Sequence, residues 1–435
     1  MTTHQGKQRL SVTSEIGRLQ TVLVHRPGRE IDRMAPHMSD ELLFDDILYG
    51  DRAREEHRRL SRLIGAVADD VLLLGDLLRE VLAEADLRAR VVDDIASRLG
   101  LDPELREMLS AANGDELTDH LVEGVRRAPA DQRPDDFFHL PPLPNLLFQR
   151  DPAVVIGDKV MLGSMATPAR LREPLLLSIV FHAHEELRGS DVVFERFEPH
   201  FGRVRSTAHP RPSIEGGDVI VVREDMILVG ASIRTARRTI EELAAALRES
   251  GSSVHTVLVV ELPHQRSCMH LDTVFTMISE HECLVYEPVI LEGGVEQAAV
   301  YDLSVDAESK GGMVYRPKVS LLAALAEHGL DLEPVLCGGS DPITQQREQW
   351  TDGANAFALA PGVILLYERN VRTAEELSRK GYEIVGEDDI LLGRAEVNLD
   401  KTRGKKYAVL LKGHELSRAR GGPRCLTMPL RREPL

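Results

Sequence analysis

Two stretches of the chain, offset by 64 residues (151 to 215 and 170 to 234), carry the same pattern, and this repeat limits the architecture more than any other feature. Gly157-Asp158-Lys159-Val160-Met161-Leu162-Gly163 leads to Pro168-Ala169-Arg170, and Glu224-Asp225-Met226-Ile227-Leu228-Val229-Gly230 leads to Arg234-Thr235. Pro361-Gly362-Val363-Ile364-Leu365-Leu366, followed by Arg372-Thr373, suggests a third copy. Each copy reads as a strand, a short loop holding an arginine, and a helix. Acidic residues, Asp151 and Glu215, stand 19 positions before the first two arginines (170 − 151 and 234 − 215). Either two α/β units resemble each other by chance, or repeated units each deliver one loop to a shared centre.

The remaining chemistry narrows the class. A chain of 435 residues, 43% hydrophobic and 28% charged, holds either about three domains or one large α/β domain with an insertion. With 53 basic and 70 acidic residues the net charge is -17, which repels nucleic acid and anionic membrane, and no basic patch offsets it. Cys268, Cys283, Cys337 and Cys425 form no Cys-x-x-Cys pair, so a zinc or iron–sulfur site is a poor reading and reduced thiols a good one. The first three sit in or beside apolar runs and read as core thiols. No segment approaches the roughly 18 to 20 apolar residues of a membrane span. The expectation is a cytoplasmic protein.

The strand reading at Leu19 to Val24 ends at His25-Arg26-Pro27-Gly28. From 51 to 126 charged residues interleave with Leu, Val, Ala and Ile. Leu60, Leu63, Ile64, Val67, Val71, Leu74 and Leu78 recur at steps of three and four, which predicts one helical face. Asp102 before Pro103 reads as a helix cap with proline in the first turn. The expected division is an α/β domain formed by 1–50 and 133–435, with a helical insertion at 51–132.

No dinucleotide-binding glycine loop, Walker lysine, His-Glu-x-x-His or Gly-x-Ser-x-Gly occurs, so dehydrogenase, NTPase, zincin and serine hydrolase readings lose their anchors. Four fragments place polar groups among apolar neighbours. In Pro144-Asn145-Leu146-Leu147-Phe148-Gln149-Arg150-Asp151-Pro152, an aspartate before proline is by itself commonly a turn residue. In Glu215-Gly216-Gly217-Asp218, the glycines permit conformations closed to other residues and let a ligand approach the main chain, though a tight turn explains them as well. Met269-His270-Leu271-Asp272-Thr273-Val274-Phe275, read as a strand, points His270 and Asp272 to one face. In Arg418-Ala419-Arg420-Gly421-Gly422-Pro423-Arg424-Cys425, arginines lie close to a thiol and favour its thiolate, against the opposing pull of the acidic residues.

Together with Glu15-x-Gly17-x-Leu19 and His25-x-Pro27-Gly28, these fragments in this order resemble arginine deiminase, among the guanidino-group-modifying enzymes. The resemblance spans nearly the whole chain. It implies an α/β fold of five pseudo-symmetric blades, a propeller around the active site, with the inserted α-helical bundle between the first and second units. It implies Cys425 as nucleophile, His270 as acid and base, Glu215 as its partner, and Asp151 and Asp272 as the carboxylates that hold a guanidinium. Asn145, Phe148, Arg170, Asp218, Arg234 and Arg420 match positions around the substrate's amino-acid end. Free L-arginine and water are then the reactants, with no cofactor or metal and no nucleic-acid or membrane partner, in a homo-oligomer. The tail departs from the family at Leu426-Thr427, where Met-Ser is common, which touches local packing alone.

Overall fold

The computed structural model describes residues 10–195, 212–305, 313–399 and 404–435. Among them, five mixed sheets follow one plan: an antiparallel pair, a helical crossover, and a strand added in parallel. Parallel addition needs a long crossover, which is why helix and strand alternate after each hairpin.

In the first unit Leu19–Val24 pairs antiparallel with Met428–Arg432 and parallel with Asp70–Leu73, reached through the helix Gly50–Gly65. In the second, the hairpin Ala153–Ile156 with Lys159–Leu162 is followed by the helix Arg172–Ala183 and the parallel strand Asp191–Phe194. The third joins Val219–Arg223, Met226–Ala231 and, after the helix Arg237–Glu249, Thr256–Glu261; Ala299–Val305 and Met313–Lys318 widen it. The fourth holds Phe275–Met277, Glu282–Val285 and Glu333–Leu336. The fifth holds Phe357–Ala360, Val363–Tyr367 and Lys406–Leu411, with Tyr382–Gly386 on its outer edge.

The repeat seen in the sequence therefore corresponds to the second, third and fifth units. Its third copy matches in fold only, because Arg372 lies in the first turn of the helix Val371–Arg379, exposed and paired with Glu375, rather than in a loop facing other units.

Strand residues alternate between apolar layers. Val219, Val221, Ile227 and Val229 pack in one cluster, whereas Ile220, Val222, Met226 and Leu228 pack in the next. The fifth sheet likewise turns Ala358, Ile364 and Leu366 one way and Phe357, Leu359, Val363 and Leu365 the other. Sheets buried on both faces have near-continuous apolar strands, which explains why the sequence runs lack polar alternation.

The predicted helical face from Leu60 to Leu78 is interrupted. Leu60, Leu63 and Ile64 are on the helix Gly50–Gly65, Val71 is in the strand Asp70–Leu73, and Leu74 and Leu78 begin a new helix, Leu74–Ala83. A short apolar run does not distinguish strand from helix by spacing, and here pairing with Leu19–Val24 decides it. The residues from 51 to 73 thus complete the first sheet.

Four helices follow, Leu74–Ala83, Ala85–Leu99, Pro103–Ala111 and Gly114–Glu123. Asp102 caps the third through its side chain, with Pro103 in the first turn, and Asn113 and Glu116 form a capping box on the fourth. The group docks on the second unit, where Leu77, Leu78, Leu82 and Leu121 pack in the same cluster as Leu176 and Phe181. Arg172 pins the joint: its Nε donates to Leu121 O at 2.8 Å and its Nη2 to Pro141 O at 2.5 Å. No described helix is long and apolar enough to cross a membrane.

Candidate active site

Because Met428–Arg432 pairs with the first strand, the loop just before it is drawn into the interior, and Cys425 is buried. Its carbonyl accepts from Arg150 N at 3.1 Å, which ties it to the loop carrying Asp151. The Cys425 Sγ lies 3.7 Å from Asp272 Oδ2. Asp272 is fully buried, and that same oxygen accepts from Arg424 Nη1 at 2.7 Å.

His270 and Asp272 do not sit on a strand. Residues Leu271–Thr273 form a single 3-10 turn with His270 extended at its start, and the strand begins only at Phe275. The turn is closed by Thr273 Oγ1 donating to His270 O at 2.6 Å and held by Asp218 Oδ1 accepting from Leu271 N at 2.9 Å. The local bond from Thr273 and the tertiary one from Asp218 together outweigh the strand preference of the sequence. The turn still delivers both side chains to one site. His270 Nε2 lies 2.9 Å from Glu215 Oε2, and Nδ1 lies 3.7 Å from Asp151 Oδ1.

The glycine pair after Glu215 works through size. Neither glycine has a positive φ, but a Cβ on Gly217 would lie 2.7 Å from the His270 ring and 2.9 Å from Asp151 Oδ1. The absence of a side chain is what lets the imidazole and the carboxylate meet.

Charge in this dry cluster follows from its neighbours. Burial opposes charge on His270, but Asp151, the bond to Glu215 and Asp218 raise its pKa to about 9, so the ring is an imidazolium at neutral pH. Burial also opposes charge on Glu215, yet Arg234, His270 and Arg170 lower it to about 2. The Cys425 thiol goes the other way: burial, then Asp272, Asp151 and Asp352, push it well above its usual value, and Arg424 only partly offsets them. The arginines near the thiol therefore do not win, and the resting sulfur is protonated.

Asp151, Glu215 and His270 also offer ligand atoms within 4.8 Å of one another, spacing that would suit a metal ion. Here positive charge is already supplied. Arg170 Nη1 lies 2.8 Å from Asp151 and 3.5 Å from Glu215, and a protonated imidazole has no lone pair to give a metal.

The residues expected around the substrate's amino-acid end divide into two groups. Arg170 is bonded to Glu173 through Nε and Nη2 as well as to Asp151, so its charge is heavily neutralised. Arg234 approaches Glu215 at 3.8 Å. Asp218 accepts from Ser232 Oγ at 2.6 Å, and burial raises its carboxyl to about 7. Around the segment 42–46, Asn145 Nδ2 donates to Leu42 O at 2.6 Å, and Phe148 stacks with Phe44 at 6.5 Å. Arg420, at φ 67°, lies over the Trp350 ring at 3.7 Å, bonds the Trp350 carbonyl and faces Asp45.

Several buried polar atoms in this region have no hydrogen-bond partner, although some lie within ion-pair distance of an opposite charge, and they offer places where a ligand could be held. Asp151 Oδ1 and Asp272 Oδ1 are acceptors of this kind, and Arg234 Nη1 and Arg420 Nε are donors. An unpaired buried polar atom costs stability, so such atoms concentrate where function requires them.

Sequence reasoning used Glu15 only as part of a motif, gave no role to Glu15 or Arg424, and passed over Asn355. Glu15 Oε1 and Oε2 receive Arg424 Nη2 and Nε at 2.9 and 3.2 Å, and Arg150 lies 3.5 Å away. Asn355 bonds the backbone of Arg424 and Cys425. Their signal was weak: an acidic residue and an asparagine between apolar runs. Burial works against charge on Glu15, but Arg424, Arg150 and Arg432 lower it to about 2. Its contribution to stability is therefore complete above the ordinary pKa of 4.5 and lost as the pH falls toward 2. Glu15→Gln should cost about 3–5 kcal/mol, since it strands buried guanidinium groups, and should flatten the acid limb of stability. Urea unfolding from neutral pH to pH 3 measures both; a loss below about 1 kcal/mol at neutral pH would contradict the role.

The comparisons with known proteins agree with one another. The family profile described as arginine deiminase matches residues 40–432. An arginine deiminase of Clostridium perfringens is 35% identical, with 98% of each chain covered, and one of Rhodococcus jostii is 36% identical, with 99% of each covered. One of Listeria welshimeri is 34% identical over 98% of this chain and 99% of its own. Among solved structures, the amidinotransferase SxtG of Microseira wollei overlays with a TM-score of 0.50 at 14% identity, covering 98% of each chain. The N-terminal domain of ArgZ, a cyanobacterial arginine dihydrolase, overlays with a TM-score of 0.50 at 14% identity, covering 95% of this chain and 97% of that one. At such identity the two structures speak to fold alone.

Proposed function

Since the chain belongs to the arginine deiminase family, we propose that it hydrolyses free L-arginine to L-citrulline and ammonia through a covalent adduct on Cys425. One observation carries the assignment of the site: two buried carboxylates at the sulfur, Asp151 and Asp272, each keep one oxygen without a hydrogen-bond partner. Those oxygens suit the N–H groups of a guanidinium, which is planar, delocalised and positively charged at every physiological pH.

A guanidinium resists attack by water, so positioning must supply its reactivity. Cation binding offsets Asp151 and Asp272, which removes much of the repulsion that keeps the thiol protonated, and the thiolate forms as substrate arrives, its proton passing to solvent. Sulfur then bonds to the central carbon, giving a neutral tetrahedral adduct. The imidazolium of His270 gives its proton to a terminal nitrogen, the carbon–nitrogen bond breaks and ammonia leaves. The S-alkylthiouronium cation that remains is attacked by water, whose proton returns to His270. Collapse breaks the carbon–sulfur bond, and the hydroxyl proton passes to the departing sulfur, so citrulline leaves and the resting thiol is restored. Glu215 orients the ring throughout and favours its charged form before the first proton transfer and after the second.

Arg234 Nη1 and Arg420 Nε, donors without a hydrogen-bond partner, suit an α-carboxylate, and Asn145 and Phe148 support the segment 42–46 beside Arg420. Arg170 and Asp218 act from within the carboxylate network. The finer architecture follows the same reading: five blades close around this site as a propeller, and the inserted part is the four helices from Leu74 to Glu123. Family membership supports a homo-oligomer in the cytoplasm, which sedimentation and cell fractionation test. Citrulline and ammonia should appear from arginine far faster than the corresponding products from agmatine, which lacks the carboxylate; equal rates would overturn the substrate assignment.

The thiol supplies a pH test. Absorbance titration of Cys425 in the free enzyme should show no thiolate at neutral pH, because its pKa is raised by burial and by Asp272. A non-reactive cationic analogue should lower that pKa clearly. An unchanged value with the analogue bound would remove substrate-assisted ionisation from the mechanism.

A further inference from the structure

Asn355, fully buried between the strand Phe357–Ala360 and the turn at Asp352, bonds the residues of the site through their backbone and not through their side chains. Its Oδ1 accepts from Arg424 N at 3.1 Å and from Cys425 N at 3.2 Å. Its Nδ2 donates to Asp272 O at 3.1 Å. A single planar amide thus spans the two loops that carry the sulfur and a guanidinium-holding carboxylate. The segment around it braces the same region: Gln349 Nε2 donates to Ser267 O at 2.6 Å and Thr273 O at 3.2 Å, and Thr276 Oγ1 donates to Ala354 O at 2.7 Å. Gly422 makes the room, since a Cβ there would lie 2.5 Å from Asn355 Oδ1.

The chemistry explains why these backbone donors are free for such use. In acyl transfer, N–H groups next to a nucleophile stabilise a developing oxyanion. Thiolate addition to a guanidinium gives a neutral carbon bearing sulfur and three nitrogens, so no oxyanion forms in that step. The N–H groups of Arg424 and Cys425 are consumed instead by Asn355.

We propose that Asn355 is a positioning residue that fixes the reach of Cys425 Sγ to the carbon held at Asp272. The inference rests on Cys425 being the nucleophile. Asn355→Leu removes all three bonds at similar volume and should lower kcat about 100-fold, the order expected for misplacing a reacting atom by about 1 Å, with KM changed less than about threefold. Asn355→Asp keeps the acceptor, replaces the donor facing Asp272 O, and should fall between Asn355→Leu and wild type. Gly422→Ala pushes Asn355 aside without removing it, since the new Cβ would meet Oδ1 at 2.5 Å, Cβ at 2.7 Å and the carbonyl oxygen at 2.8 Å, and should lower kcat at least about tenfold.

Should Asn355→Leu not fold, Asn355→Asp and Gly422→Ala decide the matter. Wild-type kcat in both, or a loss confined to KM, overturns the inference. Cys425→Ala measured alongside separates the two levels: if it still makes citrulline, the nucleophile assignment falls, and if it is inactive while Asn355→Asp and Gly422→Ala keep wild-type kcat, only the role of Asn355 falls.

Discussion

Cys425→Ala should fold and bind arginine yet release citrulline at least about 10⁴-fold more slowly than wild type, because covalent catalysis leaves no parallel route once its nucleophile is removed. The expectation is strong because the other thiols cannot substitute. Cys268, Cys283 and Cys337 are buried, and burial raises the pKa of each. Equilibrium dialysis with labelled arginine separates binding from turnover. Citrulline formation at the native rate would refute the nucleophile, whereas lost binding with a normal fold would assign the sulfur to recognition.

Asp272→Asn should be nearly as damaging, and with a distinctive signature. The carboxylate gives one oxygen to Arg424 and leaves the other free. An amide must turn its NH₂ toward either the Arg424 guanidinium or the substrate guanidinium, and either choice opposes donor to donor. The loss of transition-state binding should be about 2–5 kcal/mol, from a charge pair broken in a desolvated site. That equals roughly 30- to 4000-fold in kcat/KM. Asp272 is also the largest charge holding the thiol protonated. Alkylation of Cys425 by iodoacetamide should therefore become faster as citrulline formation becomes slower. If both rates fell together, Asp272 would be a packing residue.

The groups proposed to react were more legible in the sequence than the frame that holds them. Cys425, His270, Glu215, Asp151 and Asp272 stood out because each is a chemically capable residue set among apolar or glycine-rich neighbours. The hairpin repeat was legible for a similar reason, since strand, loop and helix signals recur within one short window. What escaped notice depends on partners far along the chain. Glu15 meets Arg424 across 409 positions and Asn355 meets Cys425 across 70, and no local pattern encodes such contacts. The strand Asp70–Leu73 was hidden because its partner is Leu19–Val24, while its own residues fit a helical spacing equally well. At His270–Asp272, a 3-10 turn held by Asp218 replaced the expected strand, yet the same two side chains reach the site. Residue type fixed the chemistry there, and tertiary contacts fixed the geometry.

The central claim is that sulfur from Cys425 bonds to the guanidinium carbon. Rapid mixing of wild-type protein with arginine, acid quenching from the first turnover into the steady state, and peptide mass spectrometry test it most directly. The account predicts one modified peptide, containing Cys425 and heavier by arginine less ammonia. Modification at any other residue, or citrulline release with no adduct at any time point, would contradict it.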